Sequence, residues 1–554
     1  MLPVALLENL LTKTGMTKSL NYIVLAIILL FTSNLNSQTA PFQIAIEPMN
    51  ISGLGGLQAY AFGQHSGKWL IIGGRLDGLH RRQPFAAFDL AGHNNQLIVV
   101  DPVAQQKWSA PLSSLPIGLQ EQLSSTNMEF FQEGDYLYLL GGYGYSNTSA
   151  DHITYPNLSA IKVPDVINAV INGTSITSNF RQITDTMFAV TGGYLNKINN
   201  TFYLTGGQKF IGRYNPMGPT HGPGFIQEYT NAIRKFTISD NGVTLSVTHL
   251  PAIIDATNLH RRDYNVVPQI MPTGQEGLTA FSGVFQTGAD LPFLNCVNID
   301  STEHTVNNAF SQYYNHYHCA HIPIFSEVNN EMHTVFFGGI AQYYDSLGIL
   351  VQDNNVPFVK TIARVTRDSS GTMAEYKLPI EMPALLGAGS EFIPKTDIPR
   401  FNNEVLKLDD FTADSTFVGY IYGGISSTAA NIFFTNTGTQ SSANSQIFKV
   451  YVIKNSTTEI HDLNKQSIGT LKVQVFPNPN DGNFIVKFNL SKIAETKISI
   501  HSVDGKTIEE RVLTHLVLGE NTFQRKIKNL DLGGTYILTI ETPYEKATQK
   551  IIIQ

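Results

Sequence analysis

The sequence predicts an all-β protein, a six-bladed β-propeller followed by a small Ig-like β-sandwich, and three observations carry that prediction. An apolar strand ending in a glycine pair recurs along the chain. Charged residues make up only 15% against 42% hydrophobic ones, with Asn, Thr, Ser, Gly and Tyr supplying the polarity. Residues 470–554 then read as short alternating strands joined by turns.

The composition sets the frame. A chain of 554 residues is long for one ordinary domain, although large all-β folds stretch that limit. The charged fraction is well below the roughly 25% of average soluble proteins, which argues against long, charge-laced helices. The net charge of −7 is mild, and no basic stripe is present, so nucleic acid is not an expected partner. The two cysteines, Cys296 and Cys319, cannot build a disulfide scaffold; they form one bridge or remain separate thiols.

The N-terminus reads as a signal peptide over residues 1–37. Lys18 gives a positive start, residues 22–31 (YIVLAIILLF) form an apolar run, and small polar residues follow. A start at Met16 would give a signal of usual length. The run is too short for a stable membrane anchor, and no other segment is apolar enough to span a bilayer.

The repeat begins with strands at 68–74 (KWLIIGG), 136–142 (YLYLLGG), 201–207 (TFYLTGG), 334–339 (TVFFGG) and 417–424 (FVGYIYGG), with a degenerate copy at 277–283 (GLTAFSG). Gly192 and Gly193 form an extra pair, assigned to the innermost strand of the third unit. A second strand follows each copy, at 97–101, 159–163, 232–238, 294–300, 361–365 and 447–453. Several units add a third strand ending near Leu-Pro, at 108–116, 244–251 and 372–379, and strand-like segments such as 128–132, 266–271 and 321–326 precede the glycine-pair strands. Each unit is therefore four strands, A to D, with the glycines ending B. A lone four-stranded sheet cannot cover both its faces, whereas radial packing buries each on its neighbours. The sixth unit supplies only A, B and C. The unclaimed strand at 42–48 (FQIAIEP) is therefore expected to pair with 447–453 and close the ring, removing two exposed edges.

A glycine pair after an apolar strand, with Leu-Pro endings downstream, resembles the kelch repeat over roughly residues 43–454. The kelch pattern usually carries a Tyr and a Trp further along each blade. Only Trp108 fits well here, and the units are longer, with the surplus in loops. The propeller is assigned to residues 41–455 and a polar linker to 456–469.

The segment 473–484 (VQVFPNPNDGNF) opens the C-terminal module, whose proline-asparagine core is a rigid turn between strands. The module, residues 470–554, resembles the C-terminal sorting domain of the Bacteroidetes type IX secretion system. The matching residues are Phe476, Pro477, Asn478, Pro479, Gly482, Phe484, Asp504, Gly505, Lys506, Gly534, Tyr536 and Lys550. The resemblance implies a partner, the type IX machinery, and a route through the periplasm to release or to the outer-membrane cell surface. An ordinary terminal adhesion sandwich would not account for the turn and the late lysine occurring together.

Any ligand site is expected on the face of the long B-to-C loops, at 75–95, 143–158, 208–231, 340–360 and 425–446, which are rich in Tyr, Phe, Asn, Gly and His. Such loops suit sugar rings or a docked protein, or their aromatics pack the loops themselves. Three clusters stand out. His80, Arg81 and Arg82 lie in the first loop, and His260, Arg261, Arg262, Asp263 and Tyr264 precede the fourth blade. Together they are candidates for an anion site, since guanidinium binds carboxylate or sulfate bidentately, or else the arginines pair with groups between blades. Kelch-like propellers often place an Arg at the channel mouth. His316, His318 and His321, around Cys319, precede the fifth blade. One segment seldom supplies the converging ligands a metal needs, so polar channel lining is the expectation, with no metal and no cofactor. The kelch copper enzyme galactose oxidase needs a Tyr–Cys cross-link and further Tyr and His ligands, a set this sequence does not offer. Two functions remain: a secreted or surface module binding glycan or protein, or a carbohydrate-active enzyme, resembling the six-bladed sialic-acid mutarotases, an epimerase or a lyase, with its site at the channel mouth.

Overall fold

The computed structural model describes residues 41–454 except 221, 223, 315, 316 and 347, and, further on, residues 471, 473–490, 493–502, 506–514, 516–527, 534–542 and 546–553. The expected signal peptide and linker, and His316, Asp504 and Gly505, lie outside the described residues. The chain forms two compact units, divided at Ser456.

The first unit is a ring of six four-stranded antiparallel blades. In order A to D, blade 1 is Ala61–His65, Lys68–Ile72, Gln96–Asp101 and Gln106–Pro111. Blade 2 is Thr126–Glu133, Tyr136–Ser146, Asn157–Lys162 and Phe180–Thr184, and blade 3 is Tyr194–Ile198, Thr201–Thr205, Ala232–Asp240 and Leu245–Ile254. Blade 4 is Asn265–Ile270, Glu276–Phe281, Cys296–Ile299 and His304–Asn307, and blade 5 is His321–Ser326, Glu331–Phe337, Thr361–Arg367 and Met373–Glu381. Blade 6 takes A, B and C from Ser390–Pro394, Ser415–Gly423 and Ile447–Lys454, and D from the N-terminal strand Phe42–Met49. That strand runs antiparallel to Ile447–Lys454 without a break in register, from Phe42 opposite Lys454 to Met49 opposite Ile447. Its buried Phe42 and Ile44 join a core shared with Ile322, Ile324, Val418 and Val450 of blades 5 and 6.

The glycine pairs have a physical reason. The second glycine of each pair donates its N–H to a carbonyl in the D-to-A loop of the next blade: Gly74 to Ser125, Gly142 to Val190, Gly207 to Arg261, Gly339 to Leu386 and Gly424 to Leu57, all at 2.7–2.9 Å. The approach that makes this latch leaves no room for a side chain. A Cβ on Gly141 would sit 1.8 Å from the Val190 carbonyl oxygen, and Gly141 and Gly142 both hold positive φ, at 66° and 86°. In the degenerate fourth copy Ser282 takes the left-handed conformation, at φ 51°, beside Gly283. The Gly424 latch joins blade 6 to blade 1.

Local structure departs from expectation in three places. Strand C of blade 2 ends at Lys162, and a helix, Val163–Asn172, separates it from strand D, burying Val166, Ile167 and Val170 in the core between blades 1 and 2. Gly192 and Gly193 precede strand A of blade 3 rather than lying in it. The long B-to-C loops carry hairpins of their own, Gln208–Ile211 with Ile226–Tyr229, Tyr343–Ser346 with Ile349–Gln352, and Ile425–Ser427 with Ser441–Ala443. Cys296 and Cys319 are both free and buried.

The second unit packs a three-stranded sheet (Gln474–Phe476, Asn483–Leu490, Gly519–Lys526) and a four-stranded sheet (Thr507–Leu513, Thr496–Ser502, Gly534–Glu541, Lys546–Ile553) around one core. That core holds Phe484, Val486, Phe488, Ile498, Ile500, Leu538, Ile540 and Ile551. Alternation along Asn483–Leu490 puts Phe484, Val486, Phe488 and Leu490 inside and the intervening residues outward.

Candidate functional site

At the head of the channel, one residue at or just before the start of strand A in each of the six blades enters a closed circle of backbone hydrogen bonds. Ala59 donates to Gly389, Gly389 to His318, His318 to Asp263, Asp263 to Gly192, Gly192 to Asn127, and Asn127 back to Ala59, at 2.8–3.4 Å. Every N–H points the same way round. Ala59, Asn127, Gly192, Asp263 and Gly389 hold positive φ, which turns each chain from the loop into strand A. The circle fixes where the Asp263 and His318 side chains start.

Above this circle the B-to-C loops meet across the axis. The His80 ring lies 4.7 Å from Tyr214 of the blade 3 loop and 6.4 Å from Phe433 of the blade 6 loop. Blades 3 and 6 are opposite in a ring of six, so a residue touching both loops lies over the channel. Phe88, Tyr143, Phe210 and Phe225 extend the same aromatic packing. The loop aromatics thus largely pack one another.

Below the circle lies a cavity of about 450 Å³, lined by strands A of all six blades. It runs to the opposite face, where the segment between strands A and B of blade 6 borders it with Arg400, Asn403 and Glu404. That segment is held by Asn403, which donates to the Gln269 carbonyl of blade 4 at 3.0 Å, and by Leu406, which pairs with Ile324 of blade 5. Arg400 and Glu404 form an ion pair at 2.7 Å. The walls are largely apolar, including Phe62, Phe130, Phe392, Pro268 and Pro323.

The polar groups gather at the inner end. His318 Nε2 meets Glu391 Oε1 at 2.7 Å, with the Glu391 side chain only 9% exposed. Burial alone would lower the His318 pKa, but the Glu391 carboxylate, their hydrogen bond and Asp263 outweigh it and hold the imidazole above its ordinary value. His321 is moved the other way, lowered chiefly by burial. Its Nδ1 lies 3.0 Å from the Cys319 carbonyl, which only accepts, so Nδ1 carries the proton and Nε2 keeps a lone pair. The Tyr194 ring stands 5.4 Å from His318 and 6.2 Å from His321. Glu129 also borders the cavity; its Oε1 accepts the Gly193 N–H at 2.8 Å, and its Oε2 has no partner among the described residues. Burial raises its carboxyl well above the usual range.

The sequence candidates separate accordingly. His318 and His321 reach the cavity together. Tyr264 is buried in blade packing, its hydroxyl donating to the Thr205 carbonyl at 2.7 Å. Arg261 is 1% exposed and spends its donors on the carbonyls of Asn258, Ser282 and Asn295 and on the Asn295 side chain, with its guanidinium 4.1 Å from the Phe293 ring. Arg262 pairs with Asp263 and with the Tyr229 hydroxyl, and His260 stacks on Tyr229 at 3.8 Å. His80 lies close enough for Arg262 to help lower its pKa to about 4, after burial. Arg81 and Arg82 are exposed. The two His-Arg-Arg segments therefore do not present four converging guanidiniums, since Arg261 is buried in its own blade, Arg262 is paired with Asp263, and Arg81 and Arg82 are exposed. Glu129, Tyr194 and Glu391 were not singled out by sequence; each is a lone residue in a strand, with no motif around it. Among the described residues no group of three or more His, Cys, Asp or Glu could hold a metal ion, and no helix is long and apolar enough to cross a membrane.

In the sandwich, Pro477, Asn478 and Pro479 are exposed, Asn480 is buried, and Gly482 turns at φ 89°. Tyr536 is a core residue, Gly534 opens its strand, and Lys550 is exposed on the terminal strand.

Residues 474–554 match the family described as secretion system C-terminal sorting domain. The chain thus carries a type IX sorting domain, which addresses it for secretion or attachment at the cell surface. A solved structure described as "Structure of YjhT" is similar over 72% of this chain and 98% of its own, at 11% identity and a TM-score of 0.38. No curated protein matches the sequence.

Proposed function

We propose that the exported propeller is a carbohydrate-active enzyme of the mutarotase or epimerase class, working in the channel cavity. The observation that carries this reading is the pair of imidazoles beside Tyr194, whose pKa values their surroundings move in opposite directions, His318 upward by the Glu391 carboxylate and His321 downward by burial. Two titratable groups with pKa values driven apart are how a site obtains an acid and a base at one pH. The cavity volume falls in the roughly 300–1,000 Å³ range of small-molecule sites, and its Phe and Pro walls suit the C–H faces of a sugar ring.

The chemistry balances without a cofactor. Neutral His321 takes the proton of the anomeric hydroxyl at Nε2 as the bond between C1 and the ring oxygen breaks, and protonated His318 gives its proton to that oxygen. The open-chain carbonyl form turns about the bond next to C1 and recloses with the transfers reversed, giving the other anomer. Glu391 holds the His318 ring and stabilises its charge. The test is anomer exchange followed by NMR over a panel of monosaccharides, with His318→Gln and His321→Gln beside the parent protein. Acceleration lost by at least a hundredfold in both variants is expected. No acceleration of any sugar by the parent protein would remove the enzyme reading.

A second reading, a module binding glycan or a surface protein, has its own observation. Large apolar side chains stand exposed on the B-to-C loops, among them Phe85 at 73% and Phe434 at 68%, with Leu76, Leu90, Met217 and Ile349. Arg81 and Arg82 share that face. A glycan array with the parent protein and with a Phe85→Ser, Phe434→Ser double variant tests it; binding unchanged by the double variant would exclude this face.

A further inference from the structure

The sequence joins two separated features of the sorting domain, a proline-asparagine turn and a lysine close to the end of the chain, and the structure supplies a physical link between them. The terminal strand Lys546–Ile553 is an edge strand, paired on one side with Gly534–Glu541. On its other side the turn caps part of the edge. Asn478 Nδ2 donates to the Lys550 carbonyl at 2.7 Å, and its Oδ1 accepts the Ile552 N–H at 2.8 Å. The Asn480 N–H adds a bond to the Ile552 carbonyl at 2.9 Å. A side-chain amide offers a donor and an acceptor side by side, as a peptide group does. Asn478 therefore acts as one link of a missing neighbouring strand.

The same bonds fix which way the strand faces. The backbone groups of residues 550 and 552 point to the open edge, so by the two-residue period those of Thr548 point there too. The turn does not reach them, and they have no partner among the described residues. Half of the edge is thus closed by Asn478 and Asn480, and half remains open next to exposed Lys550, with exposed Phe476, Pro477 and Pro479 beside the closed half. Lysine on an open edge discourages self-pairing, while an extended segment with an opposing carboxylate overcomes that barrier.

We propose that Asn478 is a positioning residue that joins the turn and the terminal strand into one docking surface, and that a protein of the secretion machinery docks there by adding an extended acidic segment along the open half of the edge. Strand addition of this kind takes affinity from main-chain hydrogen bonds and selectivity from alternate side chains. The proposal rests on the sorting assignment and adds the surface and the type of contact.

The experiment expresses the full chain in a host with a type IX secretion system and measures the secreted against the periplasmic fraction. Thr548→Pro removes an outward N–H that the internal ladder does not use, a place where an edge strand tolerates proline. Lys550→Glu reverses the charge without touching the core, and Asn478→Ala releases the clamp. Each purified variant is checked for an unchanged thermal transition and unchanged proteolysis of the C-terminal unit. The expected result is at least a tenfold fall in secretion for Thr548→Pro and for Lys550→Glu with folding intact, and a fall for Asn478→Ala that Asn478→Gln partly restores. Normal secretion of both Lys550→Glu and a folded Thr548→Pro overturns the proposal; should Thr548→Pro misfold, Lys550→Glu and Asn478→Ala decide it. Removal of residues 470–554 is the control, because secretion without them would instead overturn the sorting assignment.

Discussion

At the scale of single residues, burial and the nearest opposite charge decide what each candidate side chain does. Arg261 and Arg262 are adjacent and chemically identical, yet one is a buried strut and the other a partner of Asp263 near the channel head. No periodicity or motif separates them; the difference lies in which carbonyls the fold brings within reach. Arg261→Met removes the donors that Arg261 supplies to the carbonyls of Asn258, Ser282 and Asn295, so a loss of about 3 kcal/mol is expected in urea unfolding, whereas Arg81→Met and Arg82→Met should stay within about 0.5 kcal/mol. The His318–Glu391 pair carries a pH argument. Proton transfer as proposed needs His321 neutral and His318 charged. Activity should fall at low pH as His321, with its lowered pKa, takes a proton, and fall at high pH as His318 loses its own above the ordinary histidine value. Glu391→Gln removes the charge that raises His318, so the high-pH limb should move to lower pH while the low-pH limb moves little. A profile measured for both proteins checks this; an unmoved high-pH limb would detach Glu391 from His318's titration.

Individual strands and loops show best how much of the molecule the sequence discloses. The glycine-pair strands were readable because a latch between blades demands two residues without side chains at the end of an apolar run, and that demand leaves a signature. The closing strand was readable by subtraction, since a sixth blade lacking strand D needs one from elsewhere. The hairpins within the B-to-C loops were not readable, because Gln208–Ile211 and Ile226–Tyr229 are short and their order comes from packing between Phe210, Phe225 and Tyr214 rather than from alternation. The cavity's two histidines were legible as residues on one segment, but the Glu391 that tunes one of them comes from the next blade and has no local mark. The sequence points to the loop face for a ligand, where the loops meet over the axis; the cavity proposed for the chemistry lies beneath them and is bordered by the blade 6 segment that carries Arg400. The closing strand also gives a direct test. Deleting residues 41–50 exposes the edge of Ile447–Lys454 and removes the buried Phe42 and Ile44 from the shared core. Phe42→Ala alone is expected to cost about 3 kcal/mol. The deletion should cost well beyond that, read as a fall of more than 10 °C in Tm or loss of the folded transition; an unchanged Tm would mean that the ring closes without this strand.

For the whole molecule, six blades stand or fall by their seams, and two of the seams hold buried histidines. His93 lies by the latch between blades 1 and 2, its Nδ1 3.0 Å from the Ser124 carbonyl. His333 lies between blades 5 and 6, its Nδ1 2.9 Å from Thr366 Oγ1 and its ring against Phe42 at 5.3 Å. Burial first, then Arg75 beside one and Arg364 and Arg367 beside the other, lowers each pKa to about 3. Both rings are therefore neutral in the folded ring, while in the unfolded chain they take protons below about pH 6.5. A base whose folded pKa is depressed contributes full stability above its unfolded value and loses it as the pH falls towards the folded one. At pH 5 the loss amounts to about 2 kcal/mol for each histidine. Because each seam joins neighbours in a closed circle, opening either one breaks the cover of the blades beside it, and acid should unfold the propeller in one cooperative step rather than blade by blade. Urea titrations between pH 7 and pH 5 are expected to show the midpoint falling steadily, and His333→Gln, which cannot titrate, should remove about half of the slope these two rings supply. A midpoint independent of pH across that interval would mean that His93 and His333 are already protonated, or reached by water, inside the closed ring.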